Sequence, residues 1–196
     1  MRLPILTALA TTLALGACTD TTGQAAGDSD VLSDIAIRFD EMGAGSTIVV
    51  AMNEDIVTHH LLGRQGDHYA LVIHEGEGTD GPITTRTLRT ADGNTVRTEF
   101  SDGTVVNYSP HNCQRVIGRC TYTEIRPDVS YRMVQINTPT ETGFEVERRV
   151  ILPGRVMTVR TGEARDLDRY GYWTTATTID MDGDVTEYRA LSTNYR

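Results

Sequence analysis

Ala91-Asp92-Gly93-Asn94-Thr95-Val96-Arg97 is followed, ten residues on, by Ser101-Asp102-Gly103-Thr104-Val105-Val106-Asn107. Each stretch sets an Asp-Gly pair ahead of a short run containing β-branched residues. Asp and Gly tolerate positive φ, so the pairs predict type I′ hairpin turns, and two in succession predict a β-meander. A third pair, Asp182-Gly183, repeats the signal near the C-terminus. Two copies are too few for a solenoid.

The same texture extends in both directions. Short runs rich in Thr, Val, Ile and Tyr, parted by a few turn residues, predict strands at Thr47–Met52, Ile56–Leu62, His68–Glu75, Ile83–Arg89, Thr95–Phe100 and Thr104–Tyr108. Further strands are predicted at Arg119–Arg126, Tyr131–Asn137, Phe144–Leu152, Arg155–Thr161, Tyr172–Asp180 and Val185–Ser192. Connections this short cannot carry parallel crossovers, so the sheet is antiparallel. A dozen strands leave long exposed edges unless the sheet closes or doubles over. The expected fold is therefore all-β: an antiparallel meander curled into a barrel, half-barrel or sandwich. Val31, Leu32, Ile35, Phe39 and Met42 recur at helical spacing, so Val31–Met42 is expected to be a short N-terminal helix covering an opening or edge. Most predicted strands fall short of the ~9–11 residues of a membrane-spanning strand, and no outward aromatic girdle is visible.

At the N-terminus, Met1-Arg2 precedes the apolar run Leu3–Leu15, the plan of a secretory signal. Leu15-Gly16-Ala17-Cys18 then closes that run. This stretch resembles the lipobox of bacterial lipoproteins, and the resemblance covers residues 1–18 only. It implies cleavage before Cys18, a diacylglycerol on the Cys18 thiol and acylation of the new amine, a firm membrane anchor. Thr19, where an Asp would favour inner-membrane retention in enteric bacteria, points to the outer membrane, facing the periplasm. The chain then divides into a signal (1–17), a Thr/Gly/Ala/Asp-rich tether (18–30) and one β-rich domain (31–196).

The chain has 196 residues and a formal charge of −9, and loss of Arg2 with the signal makes it more negative. Such acidity argues against nucleic acid. All 18 basic residues are Arg, which excludes a Lys Schiff base, a P-loop Lys and a Ser–Lys dyad. With Cys18 lipidated, Cys113 and Cys120 remain; in an oxidising envelope that even pair reads as a disulfide.

Several clusters invite a chemical reading. His59, His60, His68 and His74 lie on adjacent runs, and pairing Leu62 with His68 would put His60, His68 and His74 on one face. No companion carboxylates or His-Glu-x-x-His motif support a metal there. Asp180-Met181-Asp182-Gly183-Asp184 fails the calcium-loop register and reads as a hairpin turn. Val116 and Ile117, between the cysteines, could form a rigid contact finger, but are better read as tucked onto the sheet. In Tyr170-Gly171-Tyr172-Trp173 the single Trp reads as a core anchor with Tyr170 at the rim. Glu145 and Glu147 alternate with inward Phe144 and Val146, the pattern of a solvated face. No catalytic or cofactor-binding residue stands out, and none of the few serines sits in a nucleophile elbow.

The sequence thus leads to a non-enzymatic, membrane-anchored lipoprotein whose surface contacts an envelope protein or the wall. The alternatives are a carrier or sensor of a small apolar or lipidic ligand, or an inhibitor of a cell-wall hydrolase. For that inhibitor class the Ser-Gly-x-x-Tyr motif is absent.

Overall fold

A computed structural model describes residues 37–196. Their strands are β1 (Thr47–Met52), β2 (Asp55–Gln65), β3 (His68–Glu75), β4 (Ile83–Arg89), β5 (Thr95–Phe100) and β6 (Val105–Tyr108). There follow β7 (Gly118–Ile125), β8 (Ser130–Pro139), β9 (Gly143–Leu152), β10 (Arg155–Leu167), β11 (Trp173–Asp180) and β12 (Val185–Asn194). Each pairs antiparallel with its neighbours in sequence, and β1 pairs with β12, so the meander closes into a barrel. Closure removes the edges that a dozen open strands would expose.

All twelve strands fall at predicted positions, though several run longer. β10 continues past Thr161 to Leu167, and β2 past Leu62 to Gln65. Strand length alone therefore does not separate this barrel from a membrane-spanning one. Its outer wall carries charge. Arg97–Glu99, Glu147–Arg149 and Glu163–Arg165 ion pairs stand on outward positions, where a lipid-facing band would be apolar.

The Asp-Gly pairs make hairpin turns of a different type from that expected. Gly93, Gly103 and Gly183 have φ near +83 to +89°, while the aspartates before them are not among the positive-φ residues. The amide of Gly103 donates to Phe100 O at 3.0 Å and that of Phe100 to Thr104 O at 2.9 Å. This is a type I turn followed by a left-handed glycine, which needs one positive φ rather than two. Asp180 Oδ1 accepts from the amides of Asp182 and Asp184, so the acidic triplet is indeed a turn.

No helix occurs among the described residues. Residues 37–42, the described part of the predicted Val31–Met42 helix, form turns and a bend. The remainder of that segment lies outside the described residues, as do Cys18 and the tether. The physical reason is in the backbone donors: Arg38 N–H bonds Tyr170 O at 2.9 Å and Phe39 N–H bonds Ala91 O at 3.0 Å. Amides committed to the barrel rim cannot close helical turns. The segment still covers an opening, as the sequence suggested, because Phe39 and Met42 are buried in one mouth. Leu61 O accepts from Gly45, and Arg196 O from Gly43, tying β2 and the C-terminal residue to that plug. Gly63, at a bulge in β2 with φ +106°, lets Ala44 approach; a Cβ there would lie 2.8 Å from the Ala44 Cβ.

Alternation sorts the lumen from the outside. Register carries the inward face from Ile48 through His59, Ile73 and Thr85 on β1–β4, and from Leu61 through Leu71, Thr87, Thr98 and Val106 on β2–β6. One cluster of buried apolar residues gathers Phe39, Met42, Ile48, Val50, Val57, Leu61, Leu71 and Tyr172. A second holds Cys113, Tyr122, Met133 and Val150.

Candidate functional site: a cavity in the lumen

Between the two clusters the lumen is not filled. A cavity of about 220 Å³ is bounded by Phe144, Val146 and Arg148 of β9 and by Arg160, Gly162 and Ala164 of β10. Ala176 and Thr178 of β11 continue that wall, and Arg89 of β4 contributes to it. Trp173 and Ile37 line it at the plugged end. The opening follows from residue size: Gly162, Ala164 and Ala176 present little side chain, and a twelve-stranded barrel is wider than the eight-stranded kind whose own side chains just fill it.

Arg89 and Arg148 are held in place by neutral groups. The Arg89 guanidinium lies over the Phe39 ring, 5.9 Å from its centroid, and Nη1 donates to Gly93 O at 3.3 Å. Burial lowers its pKa and the nearby Arg148 charge lowers it further. Arg148 Nε donates to Gln135 Oε1 at 3.3 Å. Gln135 Nε2 in turn donates to Asn137 Oδ1 at 2.9 Å, and Asn137 Nδ2 to Cys113 O and Val116 O at 2.6 and 2.7 Å. Both amides are buried. A polar ladder thus runs from the loop between the cysteines to the lumen arginine. Among the described residues no carboxylate forms an ion pair with Arg89, Arg148 or Arg160; Glu163, the acidic residue at the cavity edge, is engaged by Arg165.

Beside the plug, the Tyr172 hydroxyl bonds His59 Nδ1. Burial, and then the Arg89 charge, lower His59 to about 4, so the imidazole is neutral at pH 7. Burial also raises Tyr172. Tyr172 belongs to the first apolar cluster, and Arg89 is near enough for its charge to act on both rings.

No protein-family model, curated protein or solved structure matches the chain. Its function must therefore be read from its own side chains.

The residues singled out in the sequence divide as follows. Cys113 and Cys120 stand at disulfide distance, with Cα atoms 5.6 Å apart. Val116 and Ile117 are half-buried, and Asn137 pins the Val116 carbonyl, so this loop is no projecting finger. His68 pairs with Gln65, not Leu62, because β2 runs on to Gln65 and turns in only two residues, Gly66 and Asp67. The close pair is instead His60 and His74, with ring centroids 5.8 Å apart. His74 Nδ1 meets Gly81 O at 2.9 Å, while its buried Nε2 has no partner. Among the described residues no group of three or more His, Cys, Asp or Glu is placed to hold a metal. Tyr172 is buried in the first apolar cluster, and the half-buried Trp173 packs against that cluster while also lining the cavity. Tyr170 packs on Tyr195 with centroids 4.5 Å apart. Glu147 lies on the outer face, held at about 2 by hydrogen bonds from Arg149 and Thr158.

The lumen arginines escaped the sequence reading. For Arg148 the signal was present: extending the Phe144–Val146 alternation through Val150 puts it on the apolar face. Arg89 follows Thr85 and Thr87, a polar alternation that reads equally well as solvent-facing.

Proposed function

We propose that the protein is a lipid-anchored envelope carrier that holds a small ligand inside its barrel. Cys18 would tie it to the outer membrane, on the periplasmic side. Residues 19–36 would then lead to Ile37, so the plugged end of the barrel is the tethered end. The observation that carries this reading is the half-open cavity of about 220 Å³, bounded by β9, β10 and β11 and left unfilled by their small side chains. An engineered cavity of roughly 150 Å³ accepts benzene, so this lumen suits a ligand of modest size.

Native mass spectrometry tests it, on the full mature chain carrying Cys18→Ser and purified without detergent from its own periplasm. A discrete adduct that Ala176→Leu displaces supports the carrier. A bare mass, with unchanged stability in Ala176→Leu, overturns it.

A surface contact with another envelope protein is the second reading. It draws on Ile179, Met181 and Val185, exposed together at the β11–β12 hairpin. A bare lumen together with crosslinking from position 181 to a single partner would favour it.

A further inference from the structure

We infer that the lumen ligand is a small amphipathic carboxylate, its head received by Arg89 and Arg148 with Arg160 beside them, and its apolar body lying against Phe144 and Trp173. The inference rests on the carrier reading and names its ligand class.

The charge distribution supplies the argument. Half-buried Arg89 and Arg148 line one cavity with the exposed Arg160 at its edge, and among the described residues no carboxylate forms an ion pair with them. A guanidinium removed from water is costly unless an anion or a full set of acceptors compensates it. Arg89 has two acceptor contacts at 3.3 and 3.4 Å and Arg148 one at 3.3 Å, all to neutral groups. Each keeps donors unspent, and the Arg148 charge adds to the cost of burying Arg89. An oxyanion answers both deficits, and a planar carboxylate matches the guanidinium fork.

The rest of the wall decides the ligand's other end. Ile37, Phe144, Val146, Ala164, Trp173 and Ala176 are apolar, so a bare inorganic anion would leave most of the cavity unsatisfied. Volume sets the scale at a benzoate-sized ion or a short-chain acid. The ladder from Asn137 through Gln135 holds Arg148 in place without neutralising it, as a preformed anion site requires.

Trp173 is the sole Trp and lines the cavity, so its emission reports a ligand that enters there. The test titrates the full mature Cys18→Ser chain with benzoate, benzamide and inorganic phosphate. The expected result is a saturable change with benzoate and at least tenfold weaker responses to the other two. Arg148→Met should weaken benzoate at least tenfold while melting as a single transition; if it does not fold, Arg160→Met takes its place. Benzoate and benzamide titrating alike, phosphate matching benzoate, or a variant binding benzoate as the parent does would each overturn the inference. A neutral adduct in the native mass spectrum, with no benzoate response, would sink the carboxylate and leave the carrier standing. A bare mass with no response to any probe would sink both.

Discussion

The two halves of the lumen share one antiparallel pattern and are filled in opposite ways. Along β1–β3 the inward positions hold Ile48, Val50, Val57, Leu61 and Leu71, and the plug lowers Phe39 and Met42 onto them. Along β8–β11 they hold Gln135, Asn137, Arg148, Gly162 and Ala176; the loop between β6 and β7 covers Gln135 and Asn137 through the Cys113 and Val116 carbonyls, and the wall of Arg148, Gly162 and Ala176 is left beside the cavity. A twelve-stranded barrel is too wide to be filled by its own wall. It becomes solid only where the chain lends extra side chains, and stays hollow where the wall is small or charged. Stability and binding are thereby assigned to different halves.

The sharpest way to break this contrast is Phe39→Ala, which removes the largest plug side chain. It should cost about 3–5 kcal/mol in urea unfolding, as for other buried Phe truncations. A cost near that of a surface substitution would mean the plug is not part of the core. In the other half, replacing Cys113 and Cys120 together by Ala should cost roughly 2–3 kcal/mol, since a short loop loses its closure. Under reducing conditions the parent should melt with this variant.

His59 carries the next effect. Its folded pKa of about 4 lies below the ordinary 6.5. Between those values the unfolded chain binds a proton that the folded chain does not. Stability is therefore fully present above pH 6.5 and falls as pH drops towards 4, by about 2 kcal/mol at pH 5. His59→Gln should flatten that slope in melts between pH 7 and 5; a slope unchanged from the parent would place the proton uptake elsewhere. Asn137→Leu should cost about 1–2 kcal/mol by orphaning the Cys113 and Val116 carbonyls, and should weaken carboxylate binding through Arg148. Smallest of all, Glu147→Gln on the outer wall should barely move the melting temperature, because exposed ion pairs contribute little.

Local chemistry was enough to read the strands, because a β-branched run between turn residues has few other stable states. It also led to the pairing of Cys113 with Cys120, from their number and setting. It erred where long-range partners intervene. Of the expected Val31–Met42 helix only residues 37–42 are described, and there Arg38 and Phe39 spend their amides on rim carbonyls of Tyr170 and Ala91. The Asp-Gly pairs announced turns, but strand register selected the turn type. The expected Leu62–His68 pairing failed because β2 continues to Gln65 before it turns, which leaves His60 opposite Val72.

The amino-acid sequence by itself determined an all-β antiparallel meander, the positions of its turns, the cysteine pair and the lipobox-like start. Each depends on residues close together in the chain, or on pairing between neighbouring strands. Closure of β12 onto β1, the descent of Phe39 into the mouth and the meeting of Arg89 with Arg148 were decided only by the tertiary structure. Those contacts join residues far apart in sequence, whose side-chain directions are known only once every intervening strand has its register.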